Sequence, residues 1–161
     1  MDKLDRQLIA ELRMHGRATY AELGRKLGLS PSSVHERVGK LEAAGVITGY
    51  HATVDPRSVG LGVTALVGIQ PTDTAVEDDV ADSLGLLDEV ESCYAVAGDQ
   101  AFVVKVRVPT VDDLELTLGR LRRIDGVART QTTVVLSTRF EGRPNDALLD
   151  LPDDRSSGGT A

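Results

Sequence analysis

A run of hydrogen-bonding side chains between Ser30 and Lys40 carries the clearest chemistry in the sequence. Serine, histidine, arginine and lysine can hydrogen-bond to base edges and to phosphate oxygens. At helical spacing these side chains share the outward side of one helix, and a further cation lies on the helix before it. The sequence therefore predicts nucleic-acid contact by seven residues: Ser30, Ser32, Ser33, His35, Arg37, Lys40 and Arg25.

Two predicted helices with a short turn between them position these side chains. Thr19 and Glu22 have the spacing of a capping box, which predicts the start of the first helix, and helical spacing places Tyr20 in its buried stripe. Gly28 is placed to end that helix, and Ser30 followed by Pro31 is placed to start the next. Two short helices joined by a three-residue turn with glycine indicate a helix-turn-helix, whose second helix enters the major groove. The alternative is an ordinary helical hairpin with a polar, solvated face.

A further helix is predicted ahead of this pair, from the N-cap Asp2 to about Met14, and it completes a helix-turn-helix domain over residues 1–48. Residues 1–50 hold eight Lys and Arg against six Asp and Glu, whereas the rest of the chain holds ten against nineteen. The acidic excess that gives the net charge of −7 therefore lies outside the predicted DNA-binding domain. The small positive balance of residues 1–50 is compatible with phosphate contact by this domain.

Composition excludes several classes of protein. The 161 residues are 41% hydrophobic and 27% charged, which is typical of a soluble globular chain with one or two domains. No apolar run has the length of a membrane span and no signal peptide is recognisable, so we expect a cytoplasmic protein without membrane contact. The single cysteine, Cys93, is expected to be a small buried hydrophobic residue. Three scattered histidines give no metal-ligand spacing, so neither a metal site nor a cofactor is predicted.

The second half of the chain alternates between strand and helix patterns. Residues 46–55 are rich in β-formers and predict a connecting strand within a linker of residues 49–61. Residues 62–140 then predict strand, helix, strand, strand, helix, strand, with Gly98 and Asp99 between the two central strands. The helices are expected over residues 73–87 and 111–124, and the last strand over residues 127–140. A doubled βαβ of this length predicts a ferredoxin-like domain over residues 62–142.

Both helices of such a domain lie on one face of the sheet, because the crossovers are right-handed. Whichever parity of strand positions faces the helices, apolar residues are expected to remain on the other face, because they recur at alternating positions across the strands: Leu66, Val103, Val134 and Leu136. A second copy of the chain would cover that face, so we expect a homodimer. Residues 143–161 are rich in Pro, Gly, Ser and Asp, and they predict a flexible C-terminal tail.

The order of these elements resembles the Lrp/AsnC family of transcription regulators. The resemblance rests on LDRQLIAELRMHGR, on AELGRKLGLSPSSVHERVGKLEAAGVITGY, and on Gly98 and Asp99 before AFVVKVRV. It implies an α+β fold, with a winged-helix-like helix-turn-helix domain followed by a ferredoxin-like βαββαβ domain. It also implies homodimers that assemble into octamers or other multiples of the dimer, binding to double-stranded promoter DNA, and control by a small effector, usually an amino acid.

The resemblance also implies an effector site at the loop between the two central strands. Family members often have Gly-Asp-Tyr-Asp there, and this chain has Gly98, Asp99, Gln100 and Ala101. The first two residues match and the last two depart, and at Ala101 there is no carboxylate to pair with a ligand ammonium. Thr130 and Thr132 match a Thr-x-Thr of the last strand, and they complete the predicted set of effector-binding residues.

Two alternative functions remain open from the sequence. Siroheme decarboxylases resemble the same family in both domains, so a tetrapyrrole-binding enzyme is the main alternative. Its polycarboxylate substrate would need histidine or arginine in the pocket, and Arg107, Arg129 and Arg139 alternate as exposed strand residues do. A protein-interaction module without DNA binding is the other alternative. The polar outward side of the second helix favours a regulator over the interaction module, and the absence of histidine after His51 lowers the enzyme alternative, so no catalytic residues are predicted.

Overall fold

The computed structural model describes residues 1–144 and 146–151. The chain divides into two compact units, of which the second spans Val54–Arg139. The first contains Met1–Thr53 together with the described residues from Phe140 onward. The division after Thr53 falls inside the predicted linker of residues 49–61. In the described part of the chain, no helix is long and apolar enough to cross a membrane.

The first unit contains three helices, which begin and end where the capping residues predict. These are α1 at Lys3–Met14, α2 at Tyr20–Leu27 and α3 at Pro31–Ala43. Asp2, Thr19 and Ser30 each accept a hydrogen bond from a backbone N–H in the first turn of the helix that follows. These bonds satisfy donors that a helix cannot pair internally. The core of the unit is aliphatic: Leu8, Leu23, Val34, Val38 and Leu41.

Two expectations for this part of the chain are wrong. Helical spacing places Tyr20 in the buried stripe of α2, but Tyr20 is exposed and its ring lies against that of His35. The expected connecting strand over residues 46–55 does not form, and these residues have neither helix nor strand structure. The β-forming residues there supply propensity, but a strand also needs a neighbour for its backbone hydrogen bonds. No strand pairs with them among the described residues.

A short helix forms among the described C-terminal residues. Asp146–Asp150 forms a 3-10 helix that contacts α1, in a region that the composition predicts to be a flexible tail. The predicted flexibility of residues 152–161 lies outside the described residues.

The second unit is a four-stranded antiparallel sheet with the strand order β2-β3-β1-β4, as expected for a ferredoxin-like domain. Its elements are β1 at Val63–Pro71, α4 at Glu77–Gly85, β2 at Val90–Ala95, β3 at Phe102–Val108, α5 at Val111–Leu121 and β4 at Val127–Val135. A short 3-10 helix at Pro56–Val59 precedes the first strand. The helices α4 and α5 are shorter than predicted, and β4 ends five residues before Phe140.

Alternation along the strands separates a helix-covered face from an open face. Ala65, Val67 and Ile69 are fully buried with residues of α4 and α5, whereas Leu66 between them is exposed. Strand register places Val103 opposite Gly68 on the open face, and it places Val134 opposite Ala65 on the covered face. Apolar residues therefore remain on the open face, as expected, and they include Leu66 and Val103 but not Val134. Cross-strand partners share a face, so the register decides the side on which a residue lies.

Cys93 is exposed, contrary to the expectation of a buried residue. It lies on β2, the edge strand of the sheet, where a side chain has a neighbouring strand on one side only. Partial shielding by its surroundings still raises the pKa of the Cys93 thiol above its ordinary value.

Candidate nucleic-acid interface and effector cavity

Helix α3 presents a continuous exposed stripe of side chains. Exposed residues recur at the three- and four-residue spacing of one helix face: Ser32, His35, Glu36, Gly39 and Lys40. The opposite side of the helix is formed by Val34, Val38 and Leu41, which are buried in the core of the first unit. The stripe is therefore available to a partner along almost the full length of the 13-residue helix.

Serine hydroxyls organise the N-terminal end of this stripe. The Ser30 hydroxyl accepts a hydrogen bond from the Ser33 N–H at 3.1 Å, and it lies 2.9 Å from the Ser32 hydroxyl and 2.8 Å from the Ser33 hydroxyl. Ser30 thus has a structural task as the cap of α3. Ser32 is exposed and Ser33 is half-buried beside it. The end of a recognition helix that meets base edges in other helix-turn-helix proteins is this N-terminal end.

The remaining predicted DNA-binding cations have different surroundings. Lys40 forms an exposed ion pair with Glu36 at 2.7 Å, one helical turn away. Arg25 is exposed and borders a cavity of about 770 Å³ on the first unit, together with His15, Arg17 and Lys26. Ion pairs between exposed residues contribute little and rearrange readily. Lys40 can therefore exchange Glu36 for a phosphate oxygen, and the exposed Arg25 is accessible to one as well.

Arg37 does not belong to the exposed stripe. Its Nη1 atom lies 2.8 Å from Asp2 Oδ2 and 2.6 Å from Asp5 Oδ1, the two carboxylates that form the capping box of α1. These carboxylates hold the pKa of Arg37 above its ordinary value, and the Asp5 backbone N–H together with Arg37 lowers the pKa of Asp2. Arg37 therefore links α3 to the start of α1, a role that its position in the sequence does not reveal.

A close approach of backbones at Gly24 fixes the turn between α2 and α3. Leu29 donates its N–H to the Gly24 carbonyl oxygen at 2.9 Å. A Cβ atom at Gly24 would lie 2.5 Å from the Leu29 carbonyl oxygen, which is too close for any side chain. Gly28 ends α2 with a φ of 70°, as predicted, whereas the role of Gly24 is not among the predictions from the sequence. A glycine inside a helix is the signal that could have identified it.

A cavity of about 500 Å³ opens on the second unit at the loop between β2 and β3. The residues that line it come from this loop and from the ends of β1 and β4: Gly68, Gln70, Val96, Ala97, Gly98, Asp99, Gln100, Arg129, Thr130 and Gln131. Four of the six predicted effector-binding residues therefore line one cavity. Its volume lies within the range of small-molecule sites.

The other two predicted residues, Ala101 and Thr132, do not line this cavity. Ala101 packs against the core under the helices and does not line the cavity. Thr132 lies opposite Val67 on the helix-covered face, and Thr130 lies opposite Ile69 on the same face. The Thr130 hydroxyl accepts a hydrogen bond from Arg122 Nε at 3.2 Å, and the residue also borders the cavity. The odd-numbered neighbours Arg129 and Gln131 face the cavity instead.

Comparisons with known proteins match both units to one family. The AsnC-type helix-turn-helix domain matches residues 1–42, and the Lrp/AsnC ligand binding domain matches residues 64–145. The chain belongs to the Lrp/AsnC family. Like the relatives that it matches, it is a DNA-binding transcription regulator, as the resemblance in its sequence implies.

Similar proteins are known from several organisms. The transcriptional regulator LrpA of Mycobacterium tuberculosis is 43% identical over 143 residues, which cover 89% of this chain and 95% of that protein. A structure of a feast or famine regulatory protein from the same organism, in complex with L-methionine, is 43% identical with a TM-score of 0.85, and the match covers 89% of this chain and 97% of that one. A transcriptional regulator from Neisseria meningitidis, whose structure is a complex with L-methionine, is 29% identical to this chain with a TM-score of 0.83. The match covers 92% of this chain and 99% of that one.

These matches favour the Lrp/AsnC regulator over the tetrapyrrole-binding enzyme. The relatives named above are called regulators, and the family to which both units belong is one of transcription regulators rather than enzymes. Within the described residues, no group of three or more histidine, cysteine, aspartate or glutamate side chains could hold a metal ion.

Proposed function

We propose that this regulator reads promoter DNA with the exposed stripe of α3 and that an amino acid in the cavity of the second unit modulates its binding. The exposed stripe is the observation that carries the first part. In this proposal Ser32, Ser33 and His35 contact base edges. Lys40 and Arg25 contact phosphate oxygens. Ser30 contributes as the helix cap, and Arg37 contributes by holding α3 against α1.

The cavity carries the second part of the proposal. It combines the Asp99 carboxylate, the Arg129 guanidinium and exposed loop backbone within one small-molecule-sized space. A carboxylate can pair with an α-ammonium group, and a guanidinium can pair with an α-carboxylate. The L-methionine complexes of two relatives support an amino acid as the ligand class.

Self-association through the open sheet face completes the proposed function. Leu66 and Tyr94 are exposed on this face, and Val103 lies between their strands. Burying such a patch against a second copy would give a symmetric dimer, and further contacts between dimers would give the larger assemblies that the family resemblance implies. We place this assembly in the cytoplasm, where promoter DNA is accessible to it.

Asp99→Asn tests the effector part separately from the DNA part. The substitution keeps the size of the side chain and removes the charge that would pair with an α-ammonium group. We expect DNA affinity without amino acid to stay within about twofold of the native value, and the change in affinity caused by the active amino acid to disappear. Fluorescence anisotropy with and without amino acids measures both. A retained response in the variant would contradict the placement of the ligand against Asp99.

A further inference from the structure

Two glutamine side chains meet on the wall of the cavity. Gln100 Nε2 donates a hydrogen bond to Gln131 Oε1 at 3.0 Å, although the residues lie 31 positions apart in the chain. The Gln100 amide lies directly over Gly68, where any Cβ atom would overlap it. Because Gly68 has no side chain, the Gln100 side chain can extend across β1 and reach Gln131 on β4. All three residues line the same cavity.

This amide pair leaves hydrogen-bonding groups of both kinds for a ligand. A primary amide has two N–H donors and a carbonyl oxygen with two lone pairs. The bond between Gln100 and Gln131 uses one donor and one lone pair, so the pair keeps further donors and acceptors at the cavity wall. A ligand carboxamide offers the same combination in return. A carboxylate offers acceptors only, and an aliphatic or thioether side chain offers almost nothing.

The rest of the cavity leaves few apolar surfaces for a hydrophobic side chain. Val96 and Ala97 are its only apolar side chains among the described residues, and the two glycines contribute backbone. Gln70 and Arg129 are partners across β1 and β4 and add polar groups next to the amide pair. A leucine or methionine side chain here would cover polar groups without bonding to them.

We propose that the cavity selects an amino acid with a carboxamide side chain, glutamine or asparagine. This inference rests on the proposed function, in which the effector is an amino acid bound in this cavity, and it adds the class of its side chain. Asp99 and Arg129 bind the α-ammonium and α-carboxylate groups, and Gln100 and Gln131 bind the side-chain amide. Two hydrogen bonds that an apolar side chain cannot make correspond to roughly tenfold to a hundredfold in affinity.

Isothermal titration of the full-length protein with single amino acids tests this inference. We expect glutamine or asparagine to bind at least about tenfold more tightly than leucine or methionine. In Gln131→Leu this preference should fall to about threefold or less, because the pair then lacks the β4 amide. Gln100→Leu removes the other amide and should have the same effect. Gln7→Leu is the matched control, since it makes the same substitution in the first unit, outside the cavity, and it should keep the native preference.

The outcomes separate this inference from the function on which it rests. If leucine or methionine binds the native protein as tightly as glutamine and asparagine, the amide selection is overturned and amino-acid control still stands. If neither Gln131→Leu nor Gln100→Leu changes the preference, the role of the pair is overturned. If no amino acid binds the native protein at millimolar concentration, the proposed effector is overturned together with its side-chain class.

Discussion

Replacing Arg37 with alanine distinguishes a residue that holds α3 in place from one that touches DNA. Arg37 pairs with Asp5, whose side chain is 17% exposed, and with the more exposed Asp2, while its own side chain is 29% exposed. Exposed ion pairs contribute about 0.2–1 kcal/mol, and hydrogen bonds to partly shielded charges about 1.5–3 kcal/mol. Because solvent screens much of this interaction, we expect the variant to be less stable by about 1–2 kcal/mol in the first unit.

Two measurements on Arg37→Ala distinguish a structural role from DNA contact. Thermal unfolding followed by circular dichroism at helical wavelengths should show a lower Tm, by about 5–10 °C for a unit of this size. The slope of log affinity against log salt on one fixed DNA fragment should stay unchanged, since we expect Arg37 to remain paired with Asp2 and Asp5 rather than to bind a phosphate. Lys40→Ala is the control: we expect the slope to be smaller by about 0.9 for each phosphate that Lys40 neutralises, and the Tm to be unchanged. For Arg37→Ala, an unchanged Tm with a reduced slope would refute the structural role.

Two further predictions concern the same unit. Gly24→Ala should destabilise the unit by about 1–3 kcal/mol, because its Cβ would meet the Leu29 carbonyl oxygen, and urea unfolding would measure it. Gly39→Ala, whose Cβ has open space, should instead add about 0.5–1 kcal/mol, and equal effects of the two variants would contradict this account of the turn. The pKa of Asp2 is lower in the folded than in the unfolded chain. The ionised Asp2 carboxylate therefore stabilises the fold fully above about pH 4, and this stabilisation is lost as the pH falls through the folded pKa. Asp2→Asn should remove this part of the acid sensitivity in a pH titration of Tm, and an unchanged profile between about pH 4 and about pH 2 would contradict the pairing.

Local rules explain why the first unit could be predicted from the sequence. A capping box joins a residue to one three positions later, and a glycine with positive φ ends a helix through its own backbone. The N-caps Asp2, Thr19 and Ser30 therefore indicate the start of each helix directly. The pairing of Arg37 with Asp5 could not be found in this way, because it joins residues 32 positions apart after the helices have packed.

The effector cavity shows a different limit. The fold class and the strand order follow from the alternation of strand and helix patterns in the sequence. The loop at Gly98 and Asp99 lies at the cavity, as expected. Thr132 lies on the helix-covered face while Gln131 lines the cavity, and this difference could not be predicted because it requires the register of β4 against β1, where a shift by one residue exchanges the two faces. The Gln100 and Gln131 pair depends on the same register and on the missing Cβ of Gly68.

The most direct test of the central claim is selection of genomic DNA fragments by the full-length protein, followed by affinity measurements with each of the twenty amino acids. We expect a small set of fragments bound at least about a thousandfold more tightly than random DNA. We further expect one or two amino acids to change that affinity, and the change to be absent in Asp99→Asn. Enrichment of no fragment over random DNA would contradict the role of the exposed stripe of α3. Specific binding that no amino acid alters would contradict the role of the cavity.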